Sequence, residues 1–309
     1  MSQGKTNGEG PSSAAPIAVS VVGGGAWGRA LALAAAKAGH DVLLYTRRSN
    51  VAEAGVRITA SLRDVAHHAR LMILAVPSGA AIAVARELGD HLDGRHAIVH
   101  VVRGLLPETD GGVRTIATML REETPVRRVG ALGGPALTDE LYAGAPSVLV
   151  VGSRYPEVVA ATERALASPS VRVYATDDLL GLEWASALTG LLAVAVGFAK
   201  GSGVGAGLVS AFMTRGIHEC ARIAAAAGAE ERTFLGLAGF GDLFASIGEE
   251  ARPEIRLGEA LARGEAIFDV LASIGQRIEA VELAPKIAAF ASMRRVDAPI
   301  ATAIANGLL

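Results

Sequence analysis

Ile17–Ala32 reads IAVSVVGGGAWGRALA. A short apolar run, Ile17–Val22, leads into Gly23-x-Gly25-x-x-Gly28, and the third glycine opens an Ala/Leu-rich stretch with helical spacing. Strand, glycines, helix, in that order, is what a dinucleotide pyrophosphate site requires. Gly23 would make the tight turn, Gly25 would let the backbone approach the phosphates, and Gly28 would let helix and strand pack closely. The unbonded N–H groups of the first helical turn, with Ala26 and Trp27 in it, would then face the negative charge. Glycine is common in this chain, 37 of 309 residues, so the spacing alone is a weak signal. The strand before it, the helix after it and a second strand at Asp41–Thr46 give it weight.

Working outward, the first half alternates short β-branched runs with helical patterns. Strands are expected at Ile17–Val22, Asp41–Thr46, Leu71–Val76, Ala97–Val102, Arg128–Leu132, Ser147–Val151 and Val171–Tyr174. Helical stretches such as Ala30–Ala38 and Ala80–Leu92 lie between them. This pattern predicts a largely parallel sheet with helices on both faces. Near Thr176 the character changes, and Ala/Leu/Gly segments with helical spacing run on through Ala221–Ala227, Arg256–Ala262 and Ala284–Met293. The expected fold is therefore α/β: a Rossmann-type domain over residues 17–178, then an all-helical C-terminal domain over residues 179–309. Residues 1–16, rich in Gly, Ser and Pro and without the apolar stretch of a secretory signal, read as a disordered tail.

Apolar residues make up 51% of the chain and charged residues 19%, which suits a large buried core. A formal net charge of −2 gives no general pull toward nucleic acid or an anionic membrane. The single cysteine, Cys220, excludes a disulfide framework within the chain and fits a reducing cytoplasm. It reads as a small core residue. The longest uninterrupted apolar run, Leu191–Ala199, is about half of what a membrane span needs, so none is expected. His67, His68, His91 and His96 are scattered and His218 reads as structural; with no third ligand at metal spacing, no metal is expected.

At a dinucleotide site the residues after the second strand read the adenosine ribose. A carboxylate there would hold the 2′-hydroxyl of NAD, whereas arginines favour the 2′-phosphate of NADP. Here Arg47-Arg48 follow Asp41–Thr46, with no acid until Glu53. Paired guanidiniums suit a phosphate dianion, so NADP(H) is preferred over NAD(H).

Several segments together resemble the bacterial NAD(P)-dependent glycerol-3-phosphate dehydrogenases. Gly23-Gly-Gly-Ala-Trp-Gly-Arg-Ala-Leu-Ala32 is similar to that family's fingerprint, Trp27 included, with Arg29 where a threonine is usual. Ala75-Val-Pro-Ser78, Gly133-Gly-Pro135 with Glu140 and Gly144-Ala-Pro146, Thr214-Arg-Gly216, and Thr233-Phe-Leu-Gly-Leu-Ala-Gly-Phe-Gly-Asp-Leu243 match further family segments. The resemblance runs from about Ile17 to Leu309, ending before the last helical turns usual in the family. It implies reduction of dihydroxyacetone phosphate to sn-glycerol 3-phosphate. In that reaction a nicotinamide gives a hydride, a lysine gives a proton, and an aspartate helps to position the lysine and the substrate. It also implies cofactor contacts at Gly23, Gly25, Ala26, Trp27, Gly28, Arg47, Arg48, Pro77, Arg103, Thr138 and Glu279. Substrate contacts would fall at Arg103, Gly134 and Arg252, with Asp242 as the site aspartate. A small phosphorylated substrate and a homodimer through the helical domain follow from the same resemblance.

The chain departs from the family where the chemistry sits. The family's Gly-Ala-Leu-Lys-Asn pattern is here Ser186-Ala-Leu-Thr-Gly190, so Thr189 stands where the proton-donating lysine belongs. A threonine hydroxyl is too weak an acid to replace it, and losing a general acid typically costs about 10²–10⁴ in rate. Arg103 replaces a second lysine and keeps the charge, but cannot release a proton. The family's Ser-Arg-Asn triplet is Arg252-Pro-Glu254, where Arg252 would serve after a one-residue shift and Glu254 would repel a phosphate; Ala136 replaces a serine. Lys200, about 16 Å along the helix from Thr189, is out of reach as a substitute. Three readings follow: a dehydrogenase of this type; a weakened or inactive NADP(H)-binding relative acting as a sensor or partner; or a dehydrogenase with another carbonyl substrate.

Overall fold

The computed structural model describes residues 15–48, 52–108, 112–248 and 252–308. The tail expected over residues 1–16 therefore lies outside the described residues except for exposed Ala15 and Pro16. Eight strands form one sheet: β1 (Ala18–Val22), β2 (Asp41–Tyr45), β3 (Val56–Thr59), β4 (Leu71–Leu74), β5 (Ala97–His100), β8 (Arg128–Gly133), β9 (Ser147–Ser153) and β10 (Val171–Thr176), while β6 (Leu106–Pro107) and β7 (Val113–Arg114) make a separate two-residue ribbon. The order is β10-β9-β8-β5-β4-β1-β2-β3, parallel throughout except between β8 and β9. The expected strands are all present within two residues of their bounds. β3 and the ribbon are additional.

Helices α1 (Ala26–Lys37), α2 (Leu62–His68), α3 (Ser78–Gly89), α4 (Ile116–Glu123), α5 (Thr138–Ala143) and α6 (Pro156–Leu166) connect the strands. One core cluster joins β1, β2 and β9 to α1, α5 and α6. On the other face, Met72, Ile98 and Met119 share a second cluster with Leu182, Trp184 and Leu188 of α7 (Leu179–Gly201), so the sheet and the helical half are fused through α7. The remaining helices are α8 (Ala206–Ala225), α9 (Glu231–Leu235), α10 (Asp242–Ser246), α11 (Pro253–Ala262), α12 (Ile267–Ile274), α13 (Glu279–Met293) and α14 (Pro299–Leu308), with a π-helical turn at Leu237–Gly241.

The sequence-based limit on apolar length needs correcting. α7 runs 23 residues with a mean hydropathy of 1.8 in its most apolar window, enough by length and composition to cross a membrane. Of that window, 83% is buried inside the protein. Its glycines explain the depth: a Cβ at Gly197 would stand 2.1 Å from the Ile255 carbonyl oxygen, and one at Gly258 would stand 1.9 Å from that of Val194. α7 and α11 therefore cross with their backbones in contact, which only glycine permits.

Candidate active site

The chain passes from β1 out to β2 and β3, then returns to β4 on the other side of β1. That reversal opens a crevice at the carboxyl ends of β1 and β4, where open α/β sheets bind ligands. Gly23 turns there with φ +124°, and a Cβ on it would stand 2.2 Å from the Ala75 carbonyl oxygen. A Cβ on Gly28 would stand 1.8 Å from the Gly23 oxygen, while Gly25 has no atom within 4 Å of its Cβ position. Gly23 and Gly28 thus close the turn, and Gly25 leaves open space at the start of α1. Gly25 caps α1 without a side-chain hydrogen bond, so the first-turn N–H groups, at Ala26 and Trp27, are available to an anion. This cradle fits a pyrophosphate.

Arg47 and Arg48 are exposed at the end of β2, and neither makes an ion pair among the described residues. The first acid after them, Glu53, is already engaged: its side chain is 11% exposed and pairs with Arg29 at 2.9 Å. Arg29 also donates from Nε to the Tyr142 hydroxyl at 2.9 Å, joining α1 to α5. The unusual residue in the fingerprint thus points away from the glycine turn.

Pro77 precedes α3, and Ser78 donates from its backbone to Glu279 Oε1 at 3.0 Å and from its hydroxyl to Oε2. A Cβ on Gly104 would stand 2.6 Å from that of Ser78, which brings the Arg103-Gly104 loop onto the same spot. The structure so gathers Pro77, Glu279 and Arg103 at the carboxyl edge of the sheet. Gly134 turns with φ +101° after β8 and packs on Val150, and Thr138 opens α5.

Asp242, 1% exposed, is the hub of the helical side. It begins α10 but its carboxylate does not cap that helix. Oδ1 accepts from Arg252 Nη2 at 2.7 Å and Arg103 Nη2 at 3.0 Å. Oδ2 accepts from Arg103 Nη1 at 3.1 Å and from the Thr189 hydroxyl at 2.8 Å. Those four bonds use the acceptor capacity of a carboxylate. Burial works against its charge, yet the guanidiniums of Arg103 and Arg252 hold its carboxyl below the usual carboxylate range. Burial and then repulsion from Arg103 lower Arg252 from its ordinary value, whereas for Arg103 the nearby Asp242 and Glu254 outweigh burial and raise it.

Thr189, also 1% exposed, has one hydroxyl proton and two acceptors at 2.8 Å, Asp242 Oδ2 and the Ala185 carbonyl one turn back. Either bond removes that proton from reach of a substrate. Lys200 is paired with Glu259 at 3.3 Å rather than freely solvated. Burial pushes the Cys220 thiol well up, which suits a core residue and not a nucleophile.

Three features lay outside the sequence reading. His100, at the end of β5, faces Glu183 of α7 at 3.0 Å, and Glu183 also accepts from the Ala117 backbone at 2.8 Å. His100 Nδ1 is buried without a partner among the described residues. The four histidines read as scattered (His67, His68, His91 and His96) in fact line one cavity of about 400 Å³ with Arg70 and Arg95. Among the described residues no group of three ligands is placed to hold a metal. A cavity of about 800 Å³ lies between β10 and the π-helical turn, lined by Tyr174, Arg232 and Leu237, and includes no residue of the Asp242 cluster.

The profile of the NAD-dependent glycerol-3-phosphate dehydrogenase N-terminus matches residues 18–55 and 52–159, and that of the C-terminus matches residues 178–308. The glycerol-3-phosphate dehydrogenase [NAD(P)+] of Exiguobacterium sp. is 32% identical over 308 residues, covering 94% of this chain and 90% of the relative. That of Ralstonia nicotianae is 33% identical over 314 residues, covering 94% and 92%. The crystal structure of glycerol-3-phosphate dehydrogenase from Coxiella burnetii superposes with a TM-score of 0.87 at 24% identity, covering 95% and 94%.

Proposed function

The chain belongs to the NAD-dependent glycerol-3-phosphate dehydrogenase family, and we propose that it reduces dihydroxyacetone phosphate to sn-glycerol 3-phosphate with NADP(H), using a cluster centred on Asp242 in place of the family's lysine. The observation that carries this reading is the convergence of Arg103, Arg252 and Thr189 on Asp242, with the Arg103 loop packed on the Ser78–Glu279 contact at the sheet edge.

When bound, the nicotinamide supplies a hydride. The chain's own residues do the rest. Gly23, Gly25 and Gly28 with the start of α1 (Ala26, Trp27) hold the pyrophosphate, and Arg47 with Arg48 grips a 2′-phosphate that Glu53, tied to Arg29, does not oppose. Pro77, Thr138 and Glu279 border the nicotinamide end. Arg103 and Arg252 keep guanidinium N–H groups beyond those bound to Asp242. These polarise the ketone and hold the phosphate, and Gly134 closes the substrate side. Asp242 fixes both arginines in place and exchanges no proton, since its acceptors are filled.

In this reading the segment before the division at residues 178/179 supplies most of the cofactor contacts together with Arg103 and Gly134, and the segment after it supplies Thr189, Asp242, Arg252 and Glu279. Two chains would pair through the helical domain, whose exposed Leu208, Leu235, Phe244 and Phe268 supply apolar surface to cover. Buried Cys220 matches a reducing, cytoplasmic setting.

A second reading has its own support: with the Thr189 proton committed within the protein, a weakly catalytic NADP(H)-binding relative has the same geometry. NADPH oxidation followed at 340 nm with dihydroxyacetone phosphate near pH 7, with NADPH binding measured on the same sample, separates the two. Steady turnover is the expected result. Binding without turnover would favour the second reading.

A further inference from the structure

We infer that Glu254 carries the proton of the reaction, an inference that rests on the dehydrogenase reading above. A ketone reduced by hydride must gain a proton on oxygen, and the lysine that would give it is absent. Each neighbouring group is otherwise engaged. The Thr189 proton is held by Asp242 or the Ala185 carbonyl. Asp242 is ionised and saturated by two guanidiniums and a hydroxyl. Arg103 and Arg252 do not release protons in the working pH range.

Glu254 differs from all of these. It sits in the first turn of α11, two residues after Arg252, and is half-buried. Among the described residues its carboxylate makes no hydrogen bond and no ion pair. A Cβ built at Gly190 would lie 3.9 Å from Glu254 Oε1, with no other side chain within 4 Å, so the carboxylate faces an open stretch of α7 beside Thr189. The charged groups around it are Arg103 from the loop after β5, Arg252 on its own element, and Asp242 on α10 behind them. Gly190, which removes the side chain the family carries, and Glu254, which adds a carboxylate, therefore act together. One makes the room and the other fills it with the one titratable group at the cluster that, among the described residues, has no hydrogen bond or ion pair.

The step balances as follows. The carbonyl carbon gains the hydride as a new C–H bond forms, and the π pair of the C=O bond moves to oxygen. That oxygen takes the proton from the Glu254 carboxyl, whose O–H bond breaks. The carboxylate is reprotonated from water; the hydride, with its two electrons, would come from a bound reduced nicotinamide. In reverse, the alcohol O–H gives its proton to the carboxylate. In this role reduction uses the protonated carboxyl and slows as pH rises, whereas oxidation uses the carboxylate and quickens.

The test measures dihydroxyacetone phosphate reduction and glycerol 3-phosphate oxidation between about pH 5 and 9, with NADPH binding by fluorescence. The proteins are the full chain, Glu254→Gln and Glu254→Asp. Glu254→Gln is expected to lose about 10²–10⁴ in rate in both directions and to flatten both profiles, while NADPH binding is unchanged. Glu254→Asp recovers part of the rate and the pH dependence. Full-chain turnover with Glu254→Gln within twofold and the same profile would overturn the role of Glu254 and leave the dehydrogenase reading standing. A full chain that binds NADPH but turns over neither substrate at any pH would overturn both.

Discussion

The glycine turn after β1 and the cluster around Asp242 are built by different physics. In the turn, function rests on where atoms are absent: a Cβ at Gly23 or Gly28 would overlap a backbone oxygen, and one at Gly25 would occupy open space. In the cluster, function rests on side chains that neutralise one another, two guanidiniums against the Asp242 carboxylate, which also takes the Thr189 hydroxyl. A backbone cradle admits one solution, so its sequence spacing stays readable. A charge cluster admits several, so its members can change identity while the hub stays at Asp242.

The largest expected effect falls on the cluster. Asp242→Asn removes the buried charge between two half-buried guanidiniums, and chemical denaturation should show a loss of about 3–5 kcal/mol. The pH dependence has a definite sign. The folded-state pKa of Asp242 is lowered, so its contribution to stability is complete above the unfolded carboxylate value of about 4 and is lost as pH falls through the lower folded value. Asp242→Asn should remove that acid-side loss from the wild-type stability curve.

On the cradle the signature is the opposite. Gly25→Ala places its Cβ where no protein atom lies within 4 Å and should leave stability unchanged, while NADPH binding weakens on the order of 100-fold, about 2.8 kcal/mol. Equal losses in binding and stability would mean that the space at Gly25 is structural. The smallest effect tests the cofactor choice: Arg47→Ala with Arg48→Ala should weaken NADPH by about 10–100-fold and NADH by less than about threefold, as expected for losing charge-assisted bonds to one phosphate. Equal weakening in a titration of both cofactors would contradict the NADP(H) preference.

Much of this was legible from sequence because the signals are local. The expected strands are β-branched runs bounded by turns, and the fingerprint occupies consecutive residues. β3 escaped notice because Val56–Thr59 is a half-exposed edge strand without clean alternation, and β6 and β7 are two residues each. The length of α7 was hidden because Glu183, Ser186 and Thr189 interrupt the apolar run before Leu191, although all three are buried in the helix. The partners of the site were the least legible. Arg103 and Asp242 are 139 residues apart, and His100 and Glu183 are 83 apart, so no local pattern marks either pair. Glu254 looked only like a hindrance to phosphate until Gly190 was seen beside it.

The division of labour between the two regions is tested most directly by titrating NADPH into Asp242→Asn protein that keeps its helical circular dichroism. The account predicts an affinity within about threefold of wild type, about 0.7 kcal/mol, in a protein whose turnover has fallen. Loss of NADPH binding together with turnover would contradict it, because cradle and cluster would then be one site.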